Sequence, residues 1–233
     1  MRESLGVTGA APCREISDTD VGPPPRVGDQ PGADNSSMAI KKNPDLHGSA
    51  PDKARDALLI LDMISSFEFK DGARMFKRAL PVANRIARLR DRATAAHVPV
   101  IYVNDNEGRW RSDIRGQFEA SVRKGSRGAP IATLLRPRAQ DYFILKPKHS
   151  GFYATPLGTL LEHLGARRLI LAGISSHQCV LFTANDAYVR DFELVVPSDC
   201  IAAESTTMEK LARQYFRSVL GASLMQSPRV QFR

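Results

Sequence analysis

Three side chains could together carry out acyl transfer: those of Asp62, Lys146 and Cys179. Each of them follows a short apolar run in the sequence. A thiol can attack a carbonyl carbon, a carboxylate can accept the thiol proton, and an ammonium can stabilise both anions. Backbone N–H groups at the start of a helix are suited to hold the oxyanion that forms. These residue types predict nucleophilic chemistry at a carbonyl, provided that the fold brings them together.

The stretch around Cys179 predicts a strand that leads into a helix. Residues 169–172 form an apolar run with the length of a buried strand, and Gly173 ends it. After a polar turn at residues 175–177, apolar residues recur at helical spacing from Cys179 to Tyr188. The positive end of the helix dipole favours a thiolate at such a position. A free cysteine can also be simply a small buried hydrophobe, and position alone does not decide between the two.

Apolar runs also lead to the other two side chains. Residues 57–61 end at Asp62, and residues 142–145 end at Lys146. Further strands are predicted at residues 98–103, 192–196 and 222–225. Helical spacing alternates with these strands, which predicts an α/β fold of three layers with a mostly parallel, Rossmann-like sheet of roughly six strands. The carboxyl ends of parallel strands share one edge, so Asp62, Lys146 and Cys179 are expected to meet there.

The first part of the chain differs in composition from the rest. Residues 1–51 are rich in Pro, Gly, Asp and Ser with almost no apolar periodicity, which predicts a disordered or poorly ordered tail. Residues 52–233 have the length of one α/β domain. The tail has no signal-peptide core, no run approaches the roughly 18 apolar residues of a membrane span, and the three cysteines show no disulfide-framework spacing. We therefore expect a cytoplasmic protein.

The formal net charge is +8, and lysines and arginines concentrate at residues 74–92 and 109–138. A basic surface can indicate nucleic-acid binding. No aromatic-interleaved RNA motif and no zinc spacing accompany these residues. A solvated helix face with a basic loop is the favoured interpretation, and no nucleic-acid or membrane partner is expected.

Three blocks of sequence resemble the isochorismatase-like cysteine hydrolases, a family that includes nicotinamidases, N-carbamoylsarcosine amidases and ureidoacrylate amidohydrolases. The blocks are residues 58–67 (LLILDMISSF), 146–157 (KPKHSGFYATPL) and 172–187 (AGISSHQCVLFTANDA), in the family's order. The K-x-x-x-S-x-F pattern of the family selects Lys146 over its rival Lys148. The resemblance covers nearly the whole chain after the tail.

This resemblance implies that Asp62, Lys146 and Cys179 are the catalytic triad. It also implies a cis peptide bond between Ile174 and Ser175, with the amides of Ser175 and Cys179 as the oxyanion hole. The implied activity is hydrolysis of a small-molecule amide or carbamoyl C–N bond through a thioester on the cysteine.

Two regions depart from the family pattern. The usual M-Q-N-D-F after the aspartate is MISSF at residues 63–67. Nicotinamidases bind a metal through Asp-x-His and a further histidine after the second strand, whereas residues 104–108 read NDNEG. We therefore expect no metal and no cofactor, and nicotinamide is a poor candidate substrate. Isochorismatases proper lack the cysteine, so Cys179 argues against vinyl-ether hydrolysis.

Phe67, Trp110 and Phe152 are predicted to be apolar walls of the substrate pocket. His149 and His177 flank the predicted site, and His149 is included as a substrate contact, although a lone histidine in a turn is more often solvated.

Two expectations concern partners. A homo-oligomer is expected by analogy with the family. The alternative to an enzyme is a catalytically silent relative that binds a small molecule or a protein, and the altered loop at residues 64–66 is its only support.

Overall fold

The computed structural model describes residues 53–108, 111 and 113–233. The predicted tail at 1–51 and Trp110 lie outside these residues, and the predicted division between tail and domain stays a prediction. The strands are β1 (Asp56–Leu61), β2 (Val100–Asp105), β3 (Tyr142–Lys146), β4 (Arg168–Ile174), β5 (Glu193–Val195) and β6 (Ile201–Ala202). The helices are α1 (Gly72–Ala95), α2 (Ile114–Val122), α3 (Ala129–Leu134), α4 (Leu157–Leu164), α5 (Cys179–Tyr188) and α6 (Thr206–Ser218).

The strands form one six-stranded sheet in which every described pair is parallel. The order is β3-β2-β1-β4, and both β5 and β6 pair with β4. Strand β5 pairs with the first half of β4, and β6 pairs with its last two residues. The predicted α/β fold with a mostly parallel sheet of about six strands is confirmed.

Helices cover both faces of the sheet. In β1, Leu58 and Ile60 pack into a core with α1 and α3, whereas Leu59 and Leu61 pack into a second core with α4, α5 and α6. Successive side chains of a strand point to opposite faces, so a strand covered on both sides must be apolar at nearly every position. This explains the uninterrupted apolar run at 57–61.

The sixth strand is not where the sequence predicts it. The sixth strand is β6, at Ile201–Ala202. The segment predicted as a strand, residues 222–225, forms a β-bridge between Ser223 and Val195. The Ser223 amide donates to Leu194 O, and Val196 donates to Ser223 O. Strand β5, which this segment contacts, is only three residues long. Residues 222–225 therefore contact the edge of the sheet without forming a regular ladder.

Each helix in the described part of the chain is too short or too polar to span a lipid bilayer.

The two central strands approach each other closely at their carboxyl ends. Leu61 of β1 pairs with Gly173 of β4, and Gly173 has φ +125°. A Cβ atom at Gly173 would lie 2.1 Å from the carbonyl oxygen of Leu61. Only glycine fits, because both the backbone conformation and the space exclude a side chain.

Gly173→Ala is expected to lower the free energy of unfolding by at least about 2 kcal/mol, since it combines a strained φ with a backbone clash. Gly158→Ala is the matched control. Gly158 lies in α4, and a Cβ there meets nothing closer than Phe152 Cδ1 at 3.9 Å. The control is expected to stabilise the protein by about 0.5 kcal/mol. Urea unfolding measures both, and equal stability of the two variants would contradict this account.

Candidate active site

Lys146, the last residue of β3, is fully buried and brings the predicted site residues together. Its Nζ atom lies 3.0 Å from Asp62 Oδ2, 3.4 Å from Asp105 Oδ2 and 3.5 Å from Cys179 Sγ. An ammonium has three N–H donors and no acceptor, so these contacts account for its whole donor capacity. The rival lysine, Lys148, is exposed.

Asp62 follows β1 directly, with φ +52°. Its Oδ1 atom accepts a 2.7 Å hydrogen bond from the Asp105 amide, and its Oδ2 atom faces Lys146. The Cys179 thiol lies close enough to the Asp62 carboxylate to influence its pKa. The carboxylate is thus held by Asp105 and Lys146 and lies next to the thiol proton that it is predicted to accept.

Asp105 is a site residue that the sequence analysis missed. Strand β2 runs two residues past its predicted end at Val103 and finishes with Asp105. A carboxylate at the carboxyl end of a parallel strand is the same signal that singled out Asp62, and it was available in the sequence. Because the Asp105 side chain is 39% exposed, it lies between the buried ammonium and the opening of the site.

Cys179 is the first residue of α5, as predicted. Burial and the Asp62 carboxylate raise the pKa of the thiol, and Lys146 lowers it only in part. Desolvation and the neighbouring carboxylate therefore work against the thiolate that the start of a helix favours.

The charges of the other two groups follow from the same burial. Desolvation disfavours a charged lysine, yet the negative charge of Asp62 raises the pKa of Lys146 and keeps it protonated. Burial raises the pKa of Asp62, and Lys146 opposes that rise. The 3.0 Å contact between Lys146 Nζ and Asp62 Oδ2 makes these two groups an ion pair beside the thiol.

The turn between β4 and α5 has the shape that the resemblance implies. The peptide bond between Ile174 and Ser175 is cis. The amide of Ser176 donates to Ala202 O, and those of residues 178 and 180 donate to Ser175 O. Within the described part of the chain, the amides of Ser175 and Cys179 donate to no backbone carbonyl.

A cavity of about 440 Å³ opens over Asp62 and Cys179. Asp62, Cys179 and Ser175 line it, together with Asn104, Asp105 and Glu204. Its apolar walls are Ile64, Phe69, Met75 and Ile174. The volume fits a small molecule rather than a polymer chain.

The predicted substrate contacts are only partly brought to this cavity. His149 lines it and is exposed, with Nδ1 3.9 Å from Cys179 Sγ. Phe67 is fully buried behind Phe69, whose ring does reach the cavity. Phe152 packs against the ring of Phe192 and does not line the cavity. Both rings belong to the hydrophobic core instead. The sequence could not separate the two roles, because pocket walls and core positions are both apolar.

Among the described residues, no three His, Cys, Asp or Glu side chains are arranged to hold a metal ion. The absence of a metal and of a cofactor stays a prediction.

Comparison with known proteins identifies the family. The profile of the Isochorismatase domain matches residues 56–226. The chain belongs to the isochorismatase family. The matched residues include Asp62, Lys146 and Cys179. As a member of this family, the protein is an isochorismatase-family hydrolase.

Individual relatives agree with this assignment. The chain is 41% identical to the uncharacterized isochorismatase family protein YaaI of Bacillus subtilis, over 74% of this chain and 94% of YaaI. It is 29% identical to the ureidoacrylate amidohydrolase RutB of Methylorubrum extorquens, over 61% of this chain and 67% of RutB. The crystal structure of N-carbamoylsarcosine amidase from Thermoplasma acidophilum has a TM-score of 0.59 at 27% identity, covering 76% of this chain and 99% of that protein.

The charges around the thiol predict opposite effects of two substitutions on its alkylation by iodoacetamide. Asp62→Asn removes a negative charge and lowers the thiol pKa, whereas Lys146→Met removes a positive charge and raises it. At pH 8 we expect the Cys179 rate to rise about tenfold or more in Asp62→Asn and to fall in Lys146→Met, because a neighbouring charge moves a pKa by about 1 to 3.

Mass spectrometry of the Cys179 peptide measures these rates in a Cys13→Ser background. Cys200 is an internal control, since it is fully buried and burial raises the pKa of its thiol to about 12. A slower or unchanged Cys179 rate in Asp62→Asn, with Cys200 equally protected, would contradict the charge assignment.

Proposed function

We propose that this protein hydrolyses a C–N bond of a small amide or carbamoyl compound, with Cys179 as the nucleophile. The observation that carries the proposal is the fully buried Lys146 ammonium, within 3.5 Å of both the Asp62 carboxylate and the Cys179 thiol. Buried charge is retained where it is paired or used in chemistry. Here it is placed beside a nucleophile and a base at the floor of a cavity.

In the first step, Cys179 Sγ forms a bond to the substrate carbonyl carbon while the thiol proton passes to Asp62. The negative charge thereby moves from the carboxylate to the substrate oxygen. The amides of Ser175 and Cys179 are available to stabilise this oxyanion, since neither has a backbone acceptor among the described residues. Lys146 stabilises the sulfur as its negative charge develops.

In the second step, the C–N bond breaks and Asp62 returns its proton to the leaving nitrogen. Ammonia or an amine departs, and a thioester remains on Cys179. A water molecule then attacks the thioester carbonyl and gives one proton to Asp62, which passes it to the departing sulfur. The products are a carboxylic or carbamic acid, the amine and the regenerated thiol.

Two relatives support a C–N bond as the target. RutB is an amidohydrolase and the T. acidophilum protein is an amidase. Ile64 and Ser65 of the altered loop line the cavity and leave it open, so the loop does not block the access of a substrate to Cys179. A homo-oligomer and the lack of a nucleic-acid partner stay predictions.

Cys179→Ala is expected to reduce ammonia release to less than about 1% of the wild-type rate, because the covalent route is lost. The substrates are a panel of small amides, ureas and carbamoyl amino acids, and the readout is ammonia per enzyme per second. Cys200→Ala is the matched control, since that thiol lies outside the cavity and its loss is expected to leave turnover near wild type.

Ammonia release that survives in Cys179→Ala would overturn the nucleophile assignment. If the wild type released no ammonia from any substrate of the panel and an activated ester did not acylate it, the result would favour the catalytically silent binding protein.

A further inference from the structure

A polar chain of three side chains runs along the cavity wall beside the triad. Ser175 Oγ lies 2.8 Å from Nδ1 of His177, and the other ring nitrogen, Nε2, lies 3.4 Å from Oε1 of Glu204. Ser175 and Glu204 both line the cavity. The mechanism above uses none of these three side chains.

Glu204 directly follows a segment that holds the turn before α5 from the side. In this segment, residues 200–203, Cys200 O accepts from the Gly173 amide at 2.9 Å, and Ala202 O accepts from the Ser176 amide at 2.7 Å. The segment is itself fixed by Arg78 of α1, whose Nε donates to Ala203 O at 2.6 Å. Glu204 therefore starts from a fixed backbone when it reaches the imidazole.

The carboxylate decides how the imidazole bonds to the serine. A carboxylate beside Nε2 assigns the proton of a neutral imidazole to that nitrogen, which leaves Nδ1 as an acceptor. The Ser175 hydroxyl then donates to Nδ1. Because this bond ties the side chain of Ser175 to His177, it also restricts the orientation of the Ser175 backbone.

We propose that His177 and Glu204 are positioning residues, which hold Ser175 so that its amide meets the oxyanion. This inference rests on the proposed function. An oxyanion donor acts only when charge has developed on the substrate oxygen, so a misplaced Ser175 slows acylation and leaves substrate binding nearly unchanged. The competing explanation is a surface pair that does not position Ser175, since 18% of the His177 side chain and 27% of the Glu204 side chain are exposed. Removal of such a pair would leave the acylation rate unchanged.

The test uses 4-nitrophenyl acetate, which acylates a reactive cysteine whatever the natural substrate is. The burst of 4-nitrophenolate gives the acylation rate constant and the half-saturating concentration, with Cys179→Ala as the blank. We expect Glu204→Ala and His177→Ala to lower the rate constant about tenfold, because small displacements of catalytic groups have effects of this size or larger. The half-saturating concentration is expected to stay within about twofold in both variants.

Two further variants separate positioning from loss of packing. Glu204→Gln keeps an oxygen that accepts from Nε2–H and is expected to retain most of the rate. The double variant His177→Ala/Glu204→Ala is expected to be no slower than the slower single variant, because the two residues act through one contact. Glu162→Ala, on the exposed side of α4, is the matched control and is expected to acylate at the wild-type rate.

Wild-type acylation rates in Glu204→Ala and His177→Ala would overturn the inference, as would two independent effects that multiply in the double variant. A loss in Glu204→Gln as large as that in Glu204→Ala would also overturn it. A wild-type burst without hydrolysis of any amide would count against the proposed C–N activity alone, and the variant comparison would still decide the positioning role. If the wild type showed no Cys179-dependent burst, both the proposed function and the positioning role would be overturned.

Discussion

The rest of the site depends on one buried charge, the ammonium of Lys146. An unpaired charge in the protein interior costs several kcal/mol or more, so this lysine can stay protonated only where acceptors surround it. The acceptors are Asp62, Asp105 and Cys179, which come from the ends of β1 and β2 and the start of α5. The ammonium thus fixes three separate elements at one edge of the sheet. It also stabilises the Asp62 carboxylate. Burial and that carboxylate raise the pKa of the Cys179 thiol, and the ammonium opposes the rise.

The meeting of Asp62, Lys146 and Cys179 could be predicted from the sequence because it depends on local patterns. Asp62 and Lys146 each end a run of apolar residues, and Cys179 stands where the apolar period changes from strand to helix. Parallel pairing then places all three at one edge, whatever the lengths of the connections. The direction in which the pKa of Cys179 shifts could not be predicted, since it depends on how deeply the thiol is buried and on which neighbour is nearest.

Features that depend on tertiary packing could not be predicted in the same way. Phe67 and Phe69 are two residues apart, yet only the packing against α1 decides which ring is core and which reaches the cavity. Glu204 comes to the site because the short strand β6 pairs with the end of β4. A two-residue strand has no periodicity to recognise, and the sequence pattern instead predicts the sixth strand at the apolar residues 222–225.

The central claim is that Cys179 forms a thioester during turnover, and the intact mass of the protein tests it most directly. Wild-type protein would be mixed with an amide that it hydrolyses and quenched in acid within milliseconds. We predict a mass increase equal to the acyl group, located by peptide mapping on Cys179 and absent from Cys179→Ala. Ammonia release with no adduct on the wild type, and an equal release rate from Cys179→Ala, would contradict the account.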